Sequence, residues 1–281
     1  MKQKPYASER SPAPIIAVLV VLIAVALYWW HNRQQQEAPP PPAPAVAEAP
    51  APTVEPPPQP AQPEIQHPVT PPPDDTDPAL AAGDLNAGLM ALLGNQTVLS
   101  MLNTDHFAQR VVATVDNLGR SLAAPAVWPV HPAPGRFTVD AKGDRLYIGA
   151  ANAKRYAQFV KLATAAGPDR LVALYRKFYP EFQHAYEEIG YSRGYFNDRL
   201  VEVIDILLAT PEPDETPQVL LTQVQGPTAP ERPWTRYEYA DPGLESLPAG
   251  QRILLRMSAQ DRKTVKDRLA AVRAALVSNP S

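Results

Sequence analysis

The chain has 281 residues, with 26 Lys and Arg against 29 Asp and Glu, a net charge of −3 and no cysteine. Without thiols there are no disulfides, thiolate nucleophiles, thiolate-held metals or iron–sulfur clusters. The near balance of charge argues against a nucleic-acid platform, which needs a strongly basic face.

The first element is an uncharged apolar run of 16 residues, Ile15 to Trp30, preceded by Lys2, Lys4 and Arg10. Extended to Asn32, it is predicted to be a transmembrane helix over residues 15–32. With Ala13 and Pro14 it makes roughly 27 Å of helix, enough to cross a hydrocarbon core, and Tyr28, Trp29 and Trp30 suit an interface. The flanking Lys and Arg keep residues 1–14 in the cytoplasm as a short tail and put everything after Asn32 outside it. For a bacterium this means a single-pass inner-membrane protein with a periplasmic C-terminal domain. A cleaved signal peptide is the competing reading. The small residues Ala43, Ala45, Ala47 and Ala49 lie too far downstream, and Tyr-Trp-Trp is a poor peptidase site.

Residues 33–77 come next, and 17 of the 35 prolines fall between Pro39 and Pro78. Proline removes a backbone donor and fixes φ, so this stretch cannot build its own ladder and is expected to be a disordered, extended spacer. No Lys or Arg occurs from Gln34 to Gln109, so its carboxylates repel one another and favour extension. A PxxP ligand for a groove-type module is the alternative reading.

Residues 78–281 are enough for one sizeable domain, predicted as mostly α with a small antiparallel β element. Asp77-Pro78 reads as a helix start, and Leu80, Leu85, Leu89 and Leu92 run to a stop at Gly94-Asn95. A second helix starts at Thr104, carries Val111, Val112, Val115 and Leu118, and stops at Gly119. Residues 136–141 and 144–148 alternate as a hairpin about Lys142-Gly143. Asn152 is expected to cap a helix bearing Tyr156 and Phe159, and another helix runs from Asp169 toward Pro180.

Eight of the chain's 21 aromatics lie between Tyr175 and Phe196. Tyr175, Phe178, Tyr179, Phe182 and Tyr186 form one helical stripe, kinked at Pro180. Such a stripe is core packing or, with Tyr175 and Tyr186 exposed, a platform for sugar rings. Glu181, His184 and Glu188 recur at spacings of three and four, and Glu187 stands beside them. They are the candidate acid and base of a glycan-cleaving site, against the plain reading of a solvated helix face. No HExxH, GxSxG or P-loop motif occurs, so neither a metal nor a cofactor is expected.

Asn197-Asp198 then starts a helix burying Leu200, Val203, Ile204 and Leu207. Arg199 on it is either an ion pair with Asp198 or Glu202, or a clamp for an anionic ligand. Gln218 to Gln223 and Arg236 to Tyr239 read as two strands flanking a Pro-rich loop that holds Trp234, a plug or an exposed contact. Two helices follow, Pro248 to Met257 and Ser258 to Ser278. The second opens on a Ser258/Asp261 capping box and carries Arg262, Lys263, Lys266, Arg268 and Arg273 away from its apolar stripe.

Several words in this order carry a family resemblance: VATVDNLGR at Val112 to Arg120, GRFTV at Gly135 to Val139, RYAQFVKL at Arg155 to Leu162, YPEFQHAYEEIGY at Tyr179 to Tyr191, FNDRLVEVIDILLATP at Phe196 to Pro211, and YEYADPGLESLPAGQRILLRM at Tyr237 to Met257. Together they resemble a bacterial membrane-anchored family catalogued as domain of unknown function 3014. The resemblance implies an anchor, a variable Pro-rich linker and a helical domain, and it brings no catalytic or binding residues. Three expectations follow. The first is a non-enzymatic protein held in the lipid bilayer by residues 15–30, presenting its domain to an envelope protein or the cell wall. The second is a cell-wall hydrolase using helix carboxylates. The third is a carbohydrate-binding module using exposed aromatics.

Overall fold

Short polar side chains draw many of the helix boundaries. The structure is a computed structural model that describes residues 64–72, 77–222 and 235–278. In it, Asp77 accepts the Ala79 amide and starts α1 (Pro78–Ala81), with Pro78 where no amide donor is needed. The single helix expected from Asp77 to Gly94 is divided. Asp84 takes the Ala87 amide at 2.8 Å and opens a new helix, α2 (Leu85–Leu93). A short carboxylate that binds nearby amides ends one helix and begins the next. Asn95 does the same for α3 (Gln96–Leu99). The next helix, α4 (Phe107–Leu118), begins three residues later than Thr104, after His106 turns the chain at φ 53°.

The expected hairpin is present as β1 (Val139–Lys142) and β2 (Arg145–Ile148), and its register, Lys142 opposite Arg145, puts Gly143-Asp144 at the turn. The two later strands, β3 (Gln218–Leu221) and β4 (Tyr237–Tyr239), join it in one antiparallel sheet of order β1-β2-β3-β4. Phe137, Ile148, Val219, Tyr239 and Leu255 form its core. Asn152 is no helix cap. It lies inside the first turn of α5 (Asn152–Ala163), 1% exposed, donating to the carbonyls of Thr138 at 2.7 Å and Gly149 at 2.9 Å and accepting the Thr138 amide. It is a bolt between hairpin and helix, and its amide group is satisfied as burial demands.

The aromatic stripe is shared by two helices, α6 (Pro168–Lys177) and α7 (Tyr179–Glu188), which meet at Phe178. Pro180 breaks the run because its missing N–H is harmless only in a first turn. The central helix is α8 (Phe196–Leu208). Val201 and Ile204 pack with Val172 and Leu276, while Val203 and Leu207 pack with Leu254. The remaining helices are α9 (Pro242–Glu245), α10 (Ala249–Leu255) and α11 (Ala259–Val277); Ser258 caps the last by accepting the Asp261 amide. Helix α11 packs on α5, α6 and α8. The described residues are therefore mostly helical with a small four-stranded sheet.

The described residues reach into the region expected to be spacer. Residues 64–72 lie on the start of α8, where Asp198 accepts the amides of Gln66 and His67 and Val69 joins the main core. Proline-rich sequence makes no ladder of its own, but here its amides find acceptors on the folded body. The apolar run 15–30, the spacer through residue 63 and Trp234 lie outside the described residues. Among the described residues no helix is long and apolar enough to cross a membrane.

Candidate functional site

The α6–α7 stripe decides between core and platform. The Tyr175 ring meets Tyr179 edge-on at 5.7 Å and Phe182 at 5.3 Å, and its hydroxyl donates to Asn197 Oδ1 at 3.1 Å. Tyr186 is 5% exposed and stacks on Tyr191 with ring centroids 4.4 Å apart. Burial raises both phenols, Tyr175 well above its ordinary value and Tyr186 to about 12. Tyr186 is closed off and Tyr175 is half-buried among other rings, which favours core packing over a sugar platform. Tyr175 does border a cleft of about 230 Å³ whose other walls include Leu85, Leu89, Phe107, Phe196 and Leu276.

The opposite side of α7 faces outward. Glu181, His184, Glu187 and Glu188 are all exposed. His184 Nε2 lies 3.3 Å from Glu188 Oε1, with side chains 70% and 49% exposed, so the pair adds little stability. The Glu181 carboxyl is raised, first by partial burial and then by the nearby charge of Asp84. Glu187 Oε1 accepts from Gln183 Nε2 at 2.9 Å. Glu181 and Glu187 are six residues apart, which turns them about 120° from each other around the helix and away from a common bond. Among the described residues no group of three His, Cys, Asp or Glu could hold a metal ion.

A different set of charged groups converges inside the fold. Asp116, 6% exposed, sits on the apolar side of α4 and faces Arg199 of α8. Arg199 Nη2 is 3.1 Å from Asp116 Oδ1 and donates to the Asp116 carbonyl at 3.0 Å, while Nη1 donates to Glu202 at 2.8 Å. Arg120 pairs with Asp116 Oδ2 at 2.9 Å, and the Tyr191 hydroxyl lies 3.3 Å from both carboxylate oxygens. Arg120 also bonds the Tyr191 hydroxyl. Gly119 leaves room here for the arginine, since a Cβ would stand 3.0 Å from Arg199 Nη2 and 3.3 Å from Val203 Cγ2. Burial alone lowers an arginine, yet Arg199 is raised overall, because Glu202 and Asp116 outweigh it. Arg199 is thus engaged as an ion pair by Asp116 and Glu202.

Asp116, Arg120 and Tyr191 escaped the sequence reading. The signal was present: Val112, Val115, Asp116 and Gly119 follow helical spacing, which puts a carboxylate among apolar residues where an opposite charge has to meet it.

A second cleft, about 380 Å³, lies between the β2–α5 turn, the loop at Pro213 to Pro217 and the start of α11. Asn152, Asp214, Glu215, Arg256, Ser258 and Arg262 line it, and none of the α7 candidates does. Arg262 is 3% exposed and bonds Glu212 at 2.7 Å. The cleft has mixed walls, and the Ser258 hydroxyl on one of them donates to Asp261 Oδ2 at 2.8 Å within the helix cap.

The family sequence model described as "Protein of unknown function (DUF3014)" matches residues 107–273, from the first residue of α4 into α11. The chain belongs to this family. Searches of curated proteins and of solved structures return no match. Within the DUF3014 region stand both partners of the Asp116–Arg199 joint, all four outward α7 residues and the cleft at the start of α11. Upstream of it stand α1, α2 and the segment 64–72.

Proposed function

We propose that this DUF3014 member is a single-pass protein of the bacterial cell envelope. Residues 15–30 hold it in the inner membrane with its N-terminus in the cytoplasm, the Pro-rich spacer extends from the membrane, and the helical domain stands in the periplasm to bind an envelope protein or the cell wall. The basic residues before the apolar run and the aromatic residues at its end support the orientation.

The observation that carries the binding reading is the outward side of α7. Glu181, His184, Glu187 and Glu188 stand exposed along one helix whose other side, Phe182, Ala185 and Tyr186, is locked in the core. This makes a rigid acidic ridge, suited to meeting a basic surface, where complementary charge steers encounter. A hydrolase would need two carboxyls flanking one bond within a concave site, and these carboxyls lie outside both clefts.

Topology and contact are tested together in the full chain. A C-terminal reporter active only outside the cytoplasm is expected, with the protein in the membrane fraction. A photo-crosslinker in place of the exposed His184 in living cells should give a discrete adduct that disappears when Glu181, Glu187 and Glu188 are changed to Gln. A reporter active only in the cytosol would overturn the address. An adduct unaffected by neutralisation would overturn the ridge.

A further inference from the structure

A single carboxylate seldom receives two consecutive main-chain amides from a segment more than a hundred residues away. Asp198 does: the Gln66 amide donates to Oδ2 at 3.0 Å and the His67 amide to Oδ1 at 2.7 Å. Next to it, Asn197 Nδ2 donates to the His67 carbonyl at 2.8 Å, and the Val69 amide donates to the Tyr195 hydroxyl at 2.8 Å. Four main-chain groups in four residues are therefore read by three side chains at the start of α8.

The segment itself is shaped for this. His67 and Val69 are half-buried while Gln66, Pro68 and Thr70 are exposed, and the chain bends at Gln66 and His67, which turns both amides toward one carboxylate. Pro68 falls at the one position from 66 to 69 where the site asks for no amide. It also biases His67 toward the extended region, which lowers the entropy lost on docking. Val69 adds a side-chain requirement by packing against the main core. Asp198 stands in the first turn of α8, at the positive end of the helix dipole.

We propose that Tyr195, Asn197 and Asp198 form a docking site for a peptide that bends just before a proline. Its ligand is two residues with free amides, then proline, then an apolar residue. In the resting chain the site is occupied by residues 66–69, and a competing peptide of the same pattern displaces them. The recognition is mainly of backbone, the way peptide-binding domains obtain affinity from main-chain hydrogen bonds and specificity from a few side-chain seats. Only four residues separate Pro72 from Asp77, so the resident segment acts at an effective concentration in the millimolar range, and a competitor must overcome it. The inference does not depend on the membrane address.

The test uses the full chain and a fluorescein-labelled nonapeptide, EIQHPVTPP, copied from residues 64–72. Gln66→Pro with Val69→Asp vacates the site by deleting one donor and placing a charge at the apolar seat. The probe should bind the vacated chain at least about tenfold more tightly than the unaltered chain, since it no longer competes with the tethered segment. Adding Asp198→Ala should abolish that binding, and a probe carrying Asp at the valine position should not bind. Equal binding to vacated and unaltered chains, or retention after Asp198→Ala, overturns the proposal. Hydrogen exchange of the unaltered chain gives a reading independent of variant folding. The amides of Gln66, His67 and Val69 should exchange at least about tenfold more slowly than those of Ile65 and Thr70, and uniform exchange along the segment overturns the resident docking.

Discussion

Gln183 accepts the amide proton of Phe196 at 2.9 Å, and that contact fixes how α7 meets α8. The same side chain accepts the Tyr179 hydroxyl proton at 2.8 Å and donates to the Gly194 carbonyl at 2.8 Å, so one amide group closes the loop between the two helices. Phe196, with no exposed surface, is thereby set against Phe182 and Tyr186.

Gln183→Ala should therefore destabilise the domain by about 1–3 kcal/mol, the cost of leaving a buried donor without a partner. Urea denaturation should show a lower midpoint at unchanged slope. The Tyr179 and Phe196 environments should loosen first, visible as faster exchange of the Phe196 amide. An unchanged midpoint would show that water replaces the glutamine without loss.

The Asp116–Arg199 joint predicts strong asymmetry between single and double variants. Arg199→Met leaves a carboxylate that is 6% exposed with only Arg120 and the Tyr191 hydroxyl as partners and should cost about 1–3 kcal/mol. Asp116→Leu combined with Arg199→Met should recover part of this, because it removes the under-paired buried charge as well. A double-mutant cycle by chemical denaturation reads the coupling. Additive single effects would mean the two groups do not depend on each other.

Gly250 of α10 lies against α4 and α8. A Cβ there would collide with Leu207 Cδ2 and stand 3.1 Å from the Leu118 carbonyl. Gly250→Ala should cost about 1–3 kcal/mol by overpacking, despite the better helix propensity of alanine. Leu207→Val should relieve part of the clash in the double variant. A thermal melt of all three variants tests the order; a stabilised Gly250→Ala would contradict it.

Acid should release the Asp77–Arg170 contact between the start of α1 and α6. The Arg170 guanidinium, aided by the Ala79 amide, holds the Asp77 carboxyl down from 3.8 to about 2. Asp205 is lowered in the same way by Arg273. A carboxyl whose folded value lies below its unfolded one contributes stability above the unfolded value, and this is lost as pH falls toward the folded value. For Asp77 the window runs from about pH 4 down to about pH 2. NMR titration should give an Asp77 midpoint near the lower figure, rising toward the upper one in Arg170→Gln.

Most helices were legible because their signals are local. Ser258 and Asp261 form their capping box as read, and the α8 pattern of Val203, Ile204 and Leu207 is buried as read. The misread positions are those where tertiary contacts override local chemistry. Asp84 divides a continuous apolar pattern, and Asn152 leaves a capping role to bind Thr138 and Gly149. The assembly of two strands with the hairpin depends on partners 70 and more residues apart, which no local pattern specifies. For the site, exposure of Glu181, His184, Glu187 and Glu188 was the plain reading of their spacing. The depth of Tyr175 and Tyr186 followed from the periodic stripe, but the choice between burial and display rested on α8, which supplies Phe196 and Asn197 as neighbours.

Helix α11 shows how a tally of basic residues misleads. Arg262 and Lys266 share Glu212, Lys263 bonds Asp267, Arg273 bonds Asp205, and Arg268 donates to the Ala163 carbonyl. Each cation already has an anion or a carbonyl of its own chain. On a heparin column, elution should accordingly follow the overall charge of −3, with early emergence at modest ionic strength and no late peak from a polycationic strip.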